Sequence, residues 1–114
     1  MTFESYDDLI TKTAQYSGRD RGWLLYPALG LCGEAGEVAE KIKKLCRNAG
    51  KEYASDLTAS ERLELLKEIG DTMWYCSAIA SSLGSNLAEV AQINADKLLS
   101  RLERGVVKSE GDNR

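Results

Sequence analysis

At 114 residues, 43% of them hydrophobic and 29% charged, the chain has room for one domain with a real core and is too balanced in charge for a disordered acidic segment. A net charge of −3 with no dominant basic stripe excludes a general binder of nucleic-acid polymers, which needs cations to neutralise phosphates. The absence of histidine removes His-based zinc sites, Ser-His-Asp triads and Cys-His pairs, so any catalysis rests on carboxylates, amines, hydroxyls or a metal.

The opening stretch MTFESYDDLI is acidic and holds no apolar segment of signal length, and no later run approaches a membrane span, which implies a cytoplasmic protein without a membrane partner. A first helix of about 13 residues is predicted from Thr2 or Ser5 to the loop YSGRDRG, where Gly18 and Gly22 mark a break. A second starts around Pro27, a favourable first-turn residue, and runs to CRNAG, where Asn48 and Gly50 supply the stop. After the polar connection KEYASDL, Thr58 and Glu61 have the spacing of a capping box for a third helix, which reaches about Leu83 before Gly84. Ser85 or Asn86 caps a fourth helix extending to roughly Leu102.

The expected fold class is therefore all-α, one domain over residues 1–102 built as a bundle of four main helices, followed by a tail over residues 103–114. By composition that tail, ERGVVKSEGDNR, is loop or disordered. Cys32, Cys46 and Cys76 have no CxxC spacing and sit in apolar helical patterns, so they read as reduced, buried thiols. A small sheetless domain with long helices gains by burying faces against a copy of itself, and a homodimer or a dimer of dimers is expected.

Residues three or four apart share a helix face. Glu34, Glu37 and Lys41 form one such stripe on the second helix; Glu64, Glu68, Asp71 and Tyr75 form one on the third, beside apolar Leu65, Leu66, Ile69, Met73 and Cys76. Asn94, Lys97 and Arg101 repeat the arrangement on the fourth with an amide and two cations. Converging in a bundle, the two acidic pairs need a counter-charge, and an all-oxygen set favours a hard divalent ion, magnesium or manganese, that also binds substrate phosphates. Lys97, Arg101 and Asn94 then suit phosphate oxygens. Spacing alone leaves the alternative open: acids at i, i+3 are common on solvated faces, and Glu37 with Lys41 makes an ordinary helical ion pair. Two features weigh against it, namely the small residues Gly33, Ala35 and Gly36, which lower helix propensity and suggest close packing or room for a ligand, and the recurrence of a glycine-spaced pair as EIGD.

The runs YPALGLCGEAGEVAEKIKKLCRNAG, EIGDTMWYCSAIASSLG and INADKLLSRL resemble the MazG-like nucleoside triphosphate pyrophosphohydrolases of the all-α NTP pyrophosphatase superfamily, over nearly the whole chain. The family's ExxE and ExxD motifs are met by Glu34, Glu37, Glu68 and Asp71, with thirty residues between Glu37 and Glu68. Many relatives carry a glutamate just before the first motif acid, where this chain has Gly33. The resemblance implies hydrolysis of a nucleoside triphosphate to the monophosphate and pyrophosphate, with magnesium held by the four motif acids. It also implies attack by a metal-activated water, for which Glu34, Glu37 or Glu68 doubles as base. Asn94 and Lys97 match the family's NxxK and would contact phosphates or order the metal shell. Arg101 follows on the same stripe, and Lys41, Lys44 and Arg47 are secondary candidates.

Tyr75, one turn after Asp71, is a candidate for the sugar or base, whereas Trp23 and Trp74 are expected to pack in the core or at a subunit interface. The ending EGDNR also looks like that of MazG-like relatives, which strengthens the case for a tail ordered against the body near the site without displacing the loop or disordered reading. Three readings compete with nucleotide-pool housekeeping. One is a pyrophosphohydrolase for another nucleotide, such as dUTP, dCTP or an alarmone, and one is a catalytically weak nucleotide-binding or regulatory bundle. The third, a ferritin-like di-iron protein, is disfavoured by the lack of histidine.

Overall fold

The computed structural model describes residues 1–113 and contains, among them, four α-helices and no strand. These are α1 (Phe3–Thr13), α2 (Leu25–Ala49), α3 (Ala59–Ser82) and α4 (Leu87–Glu103), with single 3₁₀ turns at Arg19–Arg21 and Ala54–Asp56. The all-α expectation holds. Among the described residues no helix is long and apolar enough to cross a membrane.

Local chemistry sets the helix ends. Thr2 caps α1 by accepting from the Ser5 N–H at 3.1 Å, while the Ser5 hydroxyl accepts from the Thr2 N–H at 3.0 Å. Asn86, not Ser85, caps α4 by accepting from the Glu89 N–H at 2.9 Å. Only half of the box expected at α3 forms: Thr58 accepts from the Glu61 N–H, but the Glu61 carboxylate is taken by the Lys51 ammonium across the connection. An ammonium within reach outcompetes a backbone amide for a carboxylate. Helix α2 begins two residues before Pro27, which still lies in the first turn, where its missing N–H breaks no intrahelical bond. At the other end Gly50, at φ 64°, takes the left-handed turn that closes the helix.

Helix α2 packs along α3, and α1 lies against both α3 and α4, which also touch one another. Asp7 ties these three together: its Oδ1 accepts from the Ser77 hydroxyl at 2.5 Å and its Oδ2 from the Leu87 N–H at 3.1 Å, at the first turn of α4. Asp7→Ala would leave a buried hydroxyl and a helix-terminal N–H without their acceptor. Urea denaturation is expected to show a loss of about 2–3 kcal/mol, and a midpoint unchanged from wild type would remove the clamp from the account.

The single chain is under-buried for its size. Its core consists of small and medium side chains, including Ile10, Ala14, Pro27, Ala78, Ala80 and Leu87, while Leu66, Ile69 and Met73 along α3 and Val90 and Ile93 on α4 are exposed. The accessible surface is 8182 Å², against about 6,200 Å² for a compact monomer of this mass. The radius of gyration is 17.0 Å, against about 13 Å for a compact domain of this length. The same openness corrects the expectation of buried cysteines: all three are free thiols, but Cys32 and Cys46 are exposed and Cys76 only half-buried, because the faces carrying them are incompletely covered within one chain.

Candidate metal centre

The packing of α2 along α3 brings Glu34 together with Glu68 and Asp71, whose i, i+3 spacing puts both on the face toward α2. One carboxylate oxygen from each lies within 4.8 Å of the others. Burial raises the Glu34 pKa above the ordinary carboxylate value, and the negative charges of Asp71, Glu68 and Glu37 push it further in the same direction. Three mutually repelling oxygen donors at this spacing fit a hard divalent cation. Glu37, one turn beyond Glu34, is exposed and lies outside the three-residue group, although its charge reaches Glu34.

Lys41 does not pair with Glu37. Its ammonium crosses to α3, 2.9 Å from Glu68 and 3.5 Å from Glu64, and the hydrogen bond to Glu68 holds it above the usual lysine range. Lys44 sits 3.6 Å from Glu40, which also pairs with Lys43 at 2.8 Å, and Arg47 donates to Asn48 at 3.0 Å. Beside Glu68 an open cleft of about 480 Å³ is lined by Lys41, Lys44, Asn48, Ser60, Glu61 and Glu64, among others.

On the opposite side of the cluster, Glu34 and Asp71 share a depression of about 290 Å³ with Trp74 and Tyr75. Tyr75 packs edge-on against Trp74 with ring centroids 4.9 Å apart, and Trp74 is oriented by donating from Nε1 to the Thr13 hydroxyl at 2.9 Å. Trp23 stacks on Tyr26 and is exposed rather than buried. Burial raises the Tyr75 hydroxyl pKa, and Tyr26, Glu34 and Asp71 raise it further. The Tyr75 ring occupies the space over Gly30, where an added Cβ would overlap the ring carbons. The Tyr6 hydroxyl donates to the Gly70 carbonyl at 3.3 Å and so pins α1 to the EIGD turn.

Gly30 is the close-packing glycine that sequence reasoning missed. A Cβ at Gly33, Gly36 or Gly70 would meet nothing within 4 Å, so close packing inside the chain does not explain those three. Tyr26 and Tyr6 also went unsignalled, because aromatic residues at helical spacing look like core. The polar stripe of α4 is engaged with the tail instead of the carboxylates: Asn94 is exposed, while Lys97 and Arg101 pair with Asp112 at 3.3 and 3.2 Å. Gly111 and Asp112 of the tail thus lie against α4, on Arg101 and Lys97.

The raised Glu34 pKa has a definite sign. The bare folded chain keeps that proton to higher pH than the unfolded chain does, so the proton adds stability at acid pH that is lost as pH rises through the raised value. A divalent cation needs the deprotonated form. If the cluster takes up magnesium, the resulting rise in melting temperature is expected to be larger at about pH 8 than at about pH 5, read by differential scanning fluorimetry. An equal shift at both would sever Glu34 from the metal.

Residues 27–106, which include every residue of the carboxylate cluster and the lysines beside it, match the family model described as the MazG nucleotide pyrophosphohydrolase domain. The chain is also 44% identical over 91 residues to the Gene 37 protein of Mycobacterium phage L5, covering 80% of this chain and 76% of that relative. No solved structure matches. With the domain match running from the first turn of α2 past the end of α4, the chain belongs to the MazG nucleotide pyrophosphohydrolase family.

Proposed function

We propose that this protein hydrolyses nucleoside triphosphates, including deoxy forms, to the monophosphate and pyrophosphate with magnesium, manganese being the alternative ion, as cytoplasmic housekeeping of the nucleotide pool. The observation that carries the reading is the convergence of Glu34, Glu68 and Asp71 between α2 and α3 on the chain of a pyrophosphohydrolase family. Glu37, exposed and one turn from Glu34, is the proposed fourth ligand, reached by rotation of its side chain. Bound there, the ion would neutralise the carboxylates and polarise phosphoryl oxygens and a water.

The surroundings suggest how a substrate lies. An aromatic depression on one side of the cluster suits the nucleoside, with Tyr75 and Trp74 offered to sugar and base. The cleft on the other side, with Lys41 and Lys44, suits the outer phosphates. Of the three base candidates, Glu68 is held by Lys41, whereas Glu34 opens onto the depression; Glu34 is therefore assigned the proton of the attacking water. Asn94, Lys97 and Arg101 supply a second cationic edge for phosphate oxygens.

The accessible surface in excess of a compact monomer, about 2,000 Å², matches what a chain exposes before pairing with a copy of itself. We assign Leu66, Ile69 and Met73 of α3 to that contact in a homodimer, or in a homotetramer built as a dimer of dimers. The deciding experiment offers canonical and modified nucleotides with magnesium and resolves pyrophosphate from phosphate. Pyrophosphate release is expected from at least one of them. Binding without any release would instead favour a regulatory nucleotide-binding bundle.

A further inference from the structure

Beyond the last turn of α4 the chain folds back on itself. The Val106 N–H donates to the Arg101 carbonyl at 2.9 Å, and the following residues bring Gly111 and Asp112 onto the Arg101 side chain. Arg101 is only 5% exposed, an unusual depth for a guanidinium. Its Nη2 donates to the Gly111 carbonyl at 3.4 Å, to the Asp112 carbonyl at 3.1 Å and to Asp112 Oδ1 at 3.2 Å. The same Oδ1 lies 3.3 Å from Lys97 Nζ, one turn earlier on the same face. A single carboxylate oxygen thus sits between two cations, which hold the Asp112 carboxyl below its ordinary range, Lys97 first and Arg101 second.

The cradle offers more donors than Asp112 uses. Arg101 Nε lies on the same edge of the guanidinium as Nη2; it is buried and has no hydrogen-bond acceptor among the described residues. That edge presents two parallel N–H groups, which match two oxygens of one phosphoryl group. Asp112 answers only one of them. The Asp112 side chain is 83% exposed, so an anion can reach it from solvent; its bridge to the partly exposed Lys97 is the weaker of the two, whereas the one to buried Arg101 must be replaced by another anion as it breaks.

We propose that Asp112 is an internal anion that fills the Lys97 and Arg101 cradle in the free chain and is displaced by the phosphoryl oxygens of a di- or triphosphate, so that residues 108–113 form a strap which lifts when the cradle is occupied. Taking those oxygens to be the substrate's or product's rests on the function proposed above. The strap's own contacts do not. Residues 104–107 stay tied to the end of α4 through the Gly105 and Val106 amides, and the motion is confined to the turn beyond them.

Inorganic pyrophosphate is the probe, titrated by calorimetry in chelator so that the carboxylate cluster carries no metal. Asp112→Asn is expected to bind it about 3- to 5-fold more tightly than wild type, since the competing charge is gone, and Lys97→Ala to bind it more weakly. Hydrogen exchange of residues 108–113 is expected to rise when pyrophosphate is added to wild type, while that of residues 104–107 stays unchanged. Unchanged or weakened binding by Asp112→Asn, or exchange indifferent to pyrophosphate, overturns the strap. The two proposals fail separately. A protein that releases no pyrophosphate from any nucleotide but still lifts its strap keeps this inference and loses the enzyme. Turnover with an unresponsive strap does the reverse.

Discussion

Asp71→Asn is expected to cut kcat/KM for nucleotide hydrolysis by about 10³-fold or more, equivalent to about 4 kcal/mol of transition-state stabilisation, while the protein stays folded. The change keeps the shape of the side chain and removes one of three negative charges whose oxygens lie within 4.8 Å of one another. A weaker ligand set holds the cation less tightly. The folded chain without metal should not suffer, because Asp71 is exposed and its charge repels that of Glu34. Circular dichroism melts in chelator should show a midpoint equal to or above wild type, which separates a lost site from a lost fold. Glu37→Gln should cost less, about 10²-fold, because that carboxylate joins the cluster only by moving. Full turnover in Asp71→Asn would refute the carboxylate site.

Gly30→Leu should be the most disruptive change at a position with no chemistry of its own. Even a Cβ there would overlap the Tyr75 ring, and the longer side chain must drive that ring out from between α2 and α3. Overpacking of this kind costs about 1–3 kcal/mol, more than the gain of up to about 1 kcal/mol from replacing a mid-helix glycine. Because Tyr75 borders the depression next to Glu34 and Asp71, nucleotide affinity should fall with stability. Gly33→Ala is the contrast, since its Cβ would meet nothing within 4 Å and stability should hold or rise. Equal melting behaviour in the two variants would contradict the packing account.

The helices were readable because their ends are local chemistry: Thr2, Thr58 and Asn86 each act within a few residues of themselves, and Gly50 supplies a turn that other residues resist. That Glu68 and Asp71 share a face follows from i, i+3 spacing for a related reason, but spacing left open whether they meet the Glu34 and Glu37 pair, and the family resemblance weighed for it; in the structure Glu34 joins them and Glu37 does not. What escaped depends on how two helices are rotated against each other. Lys41 reads equally well as a partner of Glu37 or of α3, and only the placement of α3 decides for Glu68. Glu61 looks like half of a capping box until the connection delivers Lys51 to it. Gly30 gains its meaning from Tyr75, forty-five positions away. The cysteines were misjudged because an apolar helical pattern does not say whether the surface burying it belongs to the same chain.

The bridge from Lys41 to Glu68 has a consequence for the order of events. A cluster of acids with no cation of its own would push α2 and α3 apart and make folding wait for metal. Here the ammonium supplies part of that charge from the start, so the helices can assemble in metal-poor conditions. Under the proposed function, loading the site would be an exchange of one cation for another. A free divalent ion would have to dislodge the lysine unaided, whereas an ion already chelated by a polyphosphate would bring the anion to which the released lysine can turn. On that proposal the arrangement would favour the nucleotide and its metal arriving together.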